Sequence, residues 1–206
     1  MTGLRRRALC LAPALGAAAA LWPRSALAGA QAEEPLIDAV RTALSAAIAS
    51  AAPPRPTFES TDARMAHLHW LSATSERLKR RHTELSTRVE FLQTLWYESK
   101  RAGLEPDLVL GLVQVESGFR KYAISTVGAR GYMQVMPFWA RTIGDGDPAR
   151  LFHMQTNLRF GCVILRHYLD RERGDLFMAL GRYNGSRGRP EYPNAVLAAR
   201  QQWQVK

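Results

Sequence analysis

One apolar run carrying a single carboxylate constrains this chain more than any other feature. Residues 109–119 read VLGLVQVESGF, with Glu116 near the end. On a helix, Leu108, Leu112 and Glu116 recur at i, i+4 and i+8, flanked by Val109 and Val113. The glutamate therefore rides the apolar face, while Gln114 points elsewhere. Gly118 marks the end of the helix. Burial and the negative end of the helix dipole both disfavour the charged carboxylate, so both raise its pKa. A carboxyl kept protonated near neutral pH is what cleavage of a glycosidic bond requires of a proton donor. A glutamate ending a core helix can equally hold its head in water at the rim. The helix alone leaves both readings open.

The rest of the pattern is helical too. Leu36, Ile37, Val40, Leu44 and Ile48 predict a short, loosely attached helix within residues 31–52, and the prolines at 53, 54 and 56 break it. A compact domain is expected from about residue 58 onward. Its helices are predicted over 62–80, with Met65, Leu68, Leu71 and Leu78 inward, and from Thr87, which pairs with Glu90 as a capping box. The second has Val89, Leu92, Leu95, Trp96 and Ser99 inward and ends at Gly103. Pro106 suits the first turn of the next. Thr156 and Asp175 are N-cap candidates for helices over 156–171 and 175–183, and a last helix is predicted over 194–202. No long alternating strand pattern occurs, and residues 125–132 allow a short hairpin or loop. The fold class is mainly α, with at most a small β hairpin.

The amino-terminal residues read differently. Arg5, Arg6 and Arg7 precede an apolar run over 8–22, and Ser25-Ala26-Leu27-Ala28 follows. This is the pattern of a secretory signal peptide over 1–28, cut after Ala28; the run contains Pro13 and is short for a membrane span. Such a cut takes four arginines and no acid from a formal charge of +10, leaving +6. A basic exported protein suits a polyanionic partner, and outside the cytoplasm that partner is cell wall. Only Cys162 would remain, so no internal disulfide can form. A nucleic-acid binder is disfavoured by the export signal and by the lack of a basic helix or stacking motif. His67, His69 and His82 form no metal-ligand spacing, and no cofactor motif occurs.

Three segments, in order, resemble the soluble lytic transglycosylase (SLT) family of peptidoglycan-cleaving enzymes. Glu116-Ser117-Gly118-Phe119 is similar to the family's E-S-x-F. Residues 123–137, AISTVGARGYMQVMP, resemble A-x-S-x-x-G-A-x-G-L-M-Q-x-M-P, with Tyr132 in place of Leu. Residues 179–185, ALGRYNG, resemble A-L-x-x-Y-N-x-G, although the chain then runs Ser186-Arg187-Gly188 where Ala-Gly is more usual. Asn157, Gly161, Tyr168 and Leu169 fit the intervening helix.

The resemblance covers about residues 92–203 and implies a lysozyme-like fold; with the proline break it gives a catalytic domain over 58–206 after an Ala/Pro-rich helix and linker over 29–57, and with the export signal a place in the periplasm. It implies Glu116 as acid and then base, forming 1,6-anhydro-muramic ends. It further implies Ser117, Ser125, Gln134 and Asn184 along the glycan, Met133 as an apolar wall beside the glutamate, Tyr183 bonded toward it, and glycan strands as the partner; Ser117 and Ser125 can instead bond local backbone, and Asn184 can cap the turn with Gly185. Between Ser117 and Gly144 there is no acid. Asp145 and Asp147 lie in a turn-like Asp-Gly-Asp-Pro, which agrees with chemistry by one carboxylate. A hydrolytic muramidase of the same fold, or a wall-binding module without activity, are the alternatives.

Overall fold

The computed structural model describes residues 31, 36, 38–49 and 56–205. The signal-peptide reading of residues 1–28 and the proline break at 53–55 lie outside them. Within the described residues the chain forms α1 (Asp38–Ala49), α2 (Thr61–Leu78), α3 (Leu85–Arg101), α4 (Pro106–Ser117) and α5 (Pro137–Ile143). A 3-10 turn (Pro148–Phe152), α6 (Met154–Arg171), α7 (Leu176–Asn184) and α8 (Glu191–Trp203) follow. The mainly helical class predicted from spacing is what the structure has. The segment over 125–132 is a loop with two isolated bridges, Ile124 with Arg130 and Arg130 with Val135.

α4 lies at the centre, packed between α3 and α8. Its residues Leu108, Val109, Leu110, Leu112 and Val113 are all buried. Gly111 permits its closest approach: a Cβ there would meet the Arg200 backbone nitrogen at 2.6 Å and the Val196 carbonyl at 2.9 Å. α8 can therefore lie against α4 at backbone contact only because position 111 has no side chain. The helix stops at Gly118, whose left-handed φ of 58° is readily available to glycine.

Several boundaries differ from the sequence reading. α3 begins at Leu85, not Thr87, because Glu84 takes the N-cap place and its carboxylate accepts from the hydroxyls of both Ser86 and Thr87. A carboxylate there suits the positive end of the helix. α6 begins at Met154 straight from the 3-10 turn, with His153 as N-cap in place of Thr156. Asp175 does cap α7, accepting from the Met178 backbone N–H at 3.0 Å. α5 begins on Pro137 and had no counterpart in the sequence reading. α8 starts three residues before the expected Asn194, because Pro193 falls in the first turn, where its missing N–H costs nothing.

α2 is rotated from its expected orientation. Met65 and Leu68 are 59% and 44% exposed, whereas His67, Thr74, Ser75 and Leu78 face inward. His67 packs among Phe58, Trp70 and Trp96, and Ser75 accepts from the buried Arg88. Polar residues share the inner face with Leu78, Ser75 bonded to Arg88 and His67 packed among rings, which an apolar count cannot anticipate.

α1 is docked rather than loose. Leu44 is buried, and the carbonyls of Ala47 and Ile48 accept from Arg101 and Arg159. These arginines cap its C-terminal end and are themselves held by Glu98, which is 2% exposed. Among the described residues, no helix is long and apolar enough to cross a membrane.

Candidate active site

Glu116 is 2% exposed at the end of α4. Tyr192, in the first turn of α8, donates its hydroxyl to Oε1 at 2.5 Å. The other oxygen, Oε2, is buried without a hydrogen-bond partner. Burial pushes the Glu116 pKa up to about 8, and the Tyr192 hydrogen bond opposes this by favouring the charged form. Burial and the charge of Glu116 hold Tyr192 itself well above its ordinary range, so it stays a donor. The site thus holds one carboxyl that burial keeps neutral at pH 7, with one oxygen anchored by Tyr192 and the other buried without a hydrogen-bond partner.

The loop after α4 is built around this carboxyl. Ser117 Oγ donates to the Tyr132 carbonyl at 2.7 Å and lies 3.2 Å from that of Val113. Arg120 Nε donates to the Ser117 carbonyl at 2.9 Å, folding the chain back on itself. Asn157, on α6, is the hub. Its Oδ1 accepts from the Met133 N–H at 2.8 Å, and its Nδ2 donates to the carbonyls of Arg130 and Leu151, each at 2.8 Å. Gly131 makes room for that amide: its φ is 75°, and a Cβ would lie 2.4 Å from Asn157 Nδ2. Gln134 takes a left-handed φ of 48°, and its side-chain amide donates to the carbonyls of Gly131 and Ala123 at 2.9 and 3.2 Å. These bonds hold a conformation that a non-glycine residue adopts at a cost.

The residues singled out by sequence therefore fall into two groups. Ser117, Met133, Gln134 and Tyr183 come together with Glu116 around the loop, all buried, with their polar groups spent on backbone. Ser125 sits further out and accepts from the Ala129 N–H at 3.0 Å. Asn184 closes α7; its Nδ2 donates to Ser186 Oγ at 3.0 Å while its Oδ1 is buried without a partner.

Tyr183 departs from the expectation that it bonds to the glutamate. Its hydroxyl donates to the Met133 carbonyl at 2.8 Å. It still lies within the field of Glu116, whose charge, after burial, raises its pKa. Tyr192 makes the bond instead. The sequence reading missed it because the expected last helix began at Asn194, two residues after Tyr192. The available signal was the spacing of Tyr192, Val196, Ala199 and Trp203, which places the tyrosine on the buried face of α8. Asn157 was noticed only as part of a pattern, and its role depends on α6 meeting the loop.

Asp145 and Asp147 belong to the turn. Asp147 accepts from the Ala149 N–H at 2.8 Å, and Asp145 pairs with Arg150. A recess between α1 and residues 143–145, lined by Ile48, Arg159 and Phe160 among others, contains none of the site residues. Among the described residues, no three His, Cys, Asp or Glu side chains cluster to hold a metal ion.

A membrane-bound lytic murein transglycosylase C from Actinobacillus pleuropneumoniae is 38% identical over 92 residues, covering 41% of this chain and 25% of that protein. The transglycosylase of Enterobacteria phage PRD1 is 36% identical over 101 residues, covering 49% of this chain and 37% of the phage protein. The matched region thus spans a quarter to about two fifths of these relatives. A crystal structure of an inactive mutant of the lytic transglycosylase Slt from Pseudomonas aeruginosa is 23% identical, with a TM-score of 0.44, and covers 68% of this chain and 27% of that one. The transglycosylase SLT domain model matches residues 94–203, a span from the middle of α3 to the end of α8 that contains every residue of the candidate site, and the chain belongs to that family.

Proposed function

We propose that this protein is a peptidoglycan lytic transglycosylase of the cell envelope. It would cleave the β-1,4 bond between N-acetylmuramic acid and N-acetylglucosamine and leave 1,6-anhydro-muramic ends. The observation that carries the reading is the Glu116 carboxyl, buried, with a pKa raised to about 8, one oxygen held by Tyr192 and the other unpartnered.

In this reading the protonated Glu116 gives its proton to the glycosidic oxygen as the C1–O bond breaks. The C6 hydroxyl of the same muramic sugar attacks C1, and the Glu116 carboxylate takes the proton that hydroxyl releases. The acid is regenerated and no water is consumed. General acid–base help of this kind contributes about 10²–10⁴-fold. The nucleophile belongs to the substrate, so proximity supplies part of the remainder. A single acid suffices, and the nearest downstream aspartates are occupied in a turn.

The roles of the other residues follow from their bonds. Tyr192 aims the carboxyl. Ser117, Gln134 and Tyr183 hold the loop around Glu116 and Met133 through backbone contacts, and Ser125 pins the same loop further out. Asn184 Oδ1, buried and unpartnered, is suited to accept from a sugar acetamido N–H. Export to the periplasm is part of the same reading, supported by the amino-terminal sequence pattern and by similarity to a transglycosylase named as membrane-bound.

The test is mass spectrometry of soluble products released from purified wall by the native chain and by Glu116→Gln. Anhydro products are expected from the first and none from the second. Products heavier by one water would mean hydrolysis, and unchanged release by the variant would remove Glu116 from the chemistry.

A further inference from the structure

Three charged side chains meet where α6, α7 and the turn leading into α8 come together. Glu172, which ends α6, holds Arg187 by both oxygens: Arg187 Nε donates to Oε1 at 2.8 Å and Nη2 to Oε2 at 2.9 Å. Arg182, on α7, donates to the same Oε1. The Glu172 side chain is 8% exposed, that of Arg187 47%. Most ion pairs at a surface contribute little. This one differs in geometry, because the planar fork of Arg187 matches both carboxylate oxygens and a largely covered acid serves two arginines. None of the three is a residue of the candidate site.

What this clamp holds is a turn laid against α7. The Ser186 N–H donates to the Gly181 carbonyl at 2.7 Å, and the Arg189 N–H to the Ser186 carbonyl at 2.9 Å. Gly181 makes room for the turn: a Cβ there would lie 2.9 Å from Arg187 Cα. Ser186, Arg187 and Gly188 are also where the chain leaves the family pattern, so the clamp belongs to this chain's own sequence rather than to the matched motif.

Both ends of the turn reach the candidate site. Asn184 enters it, and its Nδ2 donates to Ser186 Oγ at 3.0 Å, so the turn sets the direction of the amide and of its unpartnered Oδ1. Tyr192 leaves it in the first turn of α8, with its hydroxyl on Glu116. That helix starts after Pro190 with no side-chain cap. The first turn of an uncapped helix is its least held part. The backbone contact that fixes α8 against α4 comes further along, at Val196 and Arg200. The start of α8 is therefore held from the other side, by the turn that Glu172 clamps.

We propose that Glu172 is a positioning residue for the reaction: by clamping Arg187 and Arg182 it fixes the α7–α8 turn, and with it the aim of Asn184 and the hold of Tyr192 on Glu116. This rests on the proposed activity and adds to it a residue that acts through the turn rather than on the glycan. A shift of about 1 Å at a reacting centre is enough to slow it severely, so a clamp outside the site can set the rate within it.

The test uses the full-length chain. Glu172→Gln keeps the shape of the side chain and removes its charge, and Arg187→Ala removes the fork. Each is expected to lower kcat/KM on soluble glycan strands about tenfold. The double variant should fall no further than the worse single one, because both break the same clamp. Carbon NMR titration of the Glu116 carboxyl, read without substrate, should move to higher pH in all three, since a loosened Tyr192 bond favours the charged form less. Arg187→Lys keeps the charge without the fork and should move both readings the same way by less; it decides the matter if circular dichroism shows a stronger change to unfold the chain. Asp145→Asn breaks the Asp145–Arg150 pair, which is also partly exposed but lies away from this turn, and should move neither reading. A Glu116 titration that stays in place in the Glu172 and Arg187 variants would overturn the proposal, as would losses that add in the double variant or an equal shift in Asp145→Asn. Failure of the activity reading appears elsewhere, as absence of anhydro products from the native chain, and leaves the titration to be read as before.

Discussion

Tyr192 holds Glu116 by one oxygen across the contact between α8 and α4, and the other oxygen has no protein partner. The bond and the burial act on the carboxyl in opposite directions. Burial wins and sets the pKa at about 8. Removing the bond leaves burial unopposed. Tyr192→Phe should therefore raise the Glu116 pKa further and carry the alkaline limb of kcat/KM to higher pH. Turnover at pH 7 should fall, because the carboxyl loses its aim. Direct carbon NMR titration of the Glu116 carboxyl supplies the same answer without activity. An unmoved titration would mean that the tyrosine does not act on the acid.

The same shift makes a stability prediction of definite sign. Folded Glu116 titrates near 8, above its ordinary 4.5. Between those values the folded state binds more protons than the unfolded one, so stability is lost as pH rises through this window. Glu116→Gln imitates the neutral form and escapes the loss. Its Tm should match the native Tm below about pH 4.5, exceed it increasingly toward pH 8, and run parallel above, with a gain on the order of a few kcal/mol. A Tm difference independent of pH would contradict the burial of the charge.

Asn157 ties three backbone groups together: the Met133 N–H and the carbonyls of Arg130 and Leu151. Asn157→Ala leaves those buried groups without partners, at about 1–3 kcal/mol for each that water cannot reach. The expected result is a total loss of about 2–4 kcal/mol in chemical unfolding and a fall in kcat larger than the change in KM. Asn157→Asp keeps the acceptor for Met133 but sets a buried carboxylate oxygen against the carbonyls of Arg130 and Leu151, and should cost at least as much as the alanine change.

Glu98 joins α3 to α6 through Arg159, at 3.1 and 2.9 Å, and also pairs with Arg101. Glu98→Ala removes the buried carboxylate that Arg159 and Arg101 share and should cost about 3–5 kcal/mol. The double change Glu98→Leu with Arg159→Met removes both charges and should recover most of that loss in urea unfolding. Because Arg159 also caps α1 at the Ile48 carbonyl, α1 amides should exchange faster in both variants.

The amino-acid sequence alone determined what short-range periodicity and chain chemistry can carry. Helical spacing placed α4 and put Glu116 on its apolar face, and Gly118 and Asp175 marked ends because caps are local. The three family motifs, being contiguous runs, located the loop and α7. What decided the rest was contact between elements distant in the chain. Which tyrosine holds Glu116 depends on α8 lying against α4 across the bare backbone of Gly111, 81 residues before Tyr192. The place of Asn157 depends on α6 reaching a loop 24 residues earlier, and the inward face of α2 depends on Arg88 and Trp96 supplying partners for Ser75 and His67. Such pairings are free-energy differences among whole packings. A periodic pattern registers which side of a helix is buried, but not which neighbour completes each buried polar group.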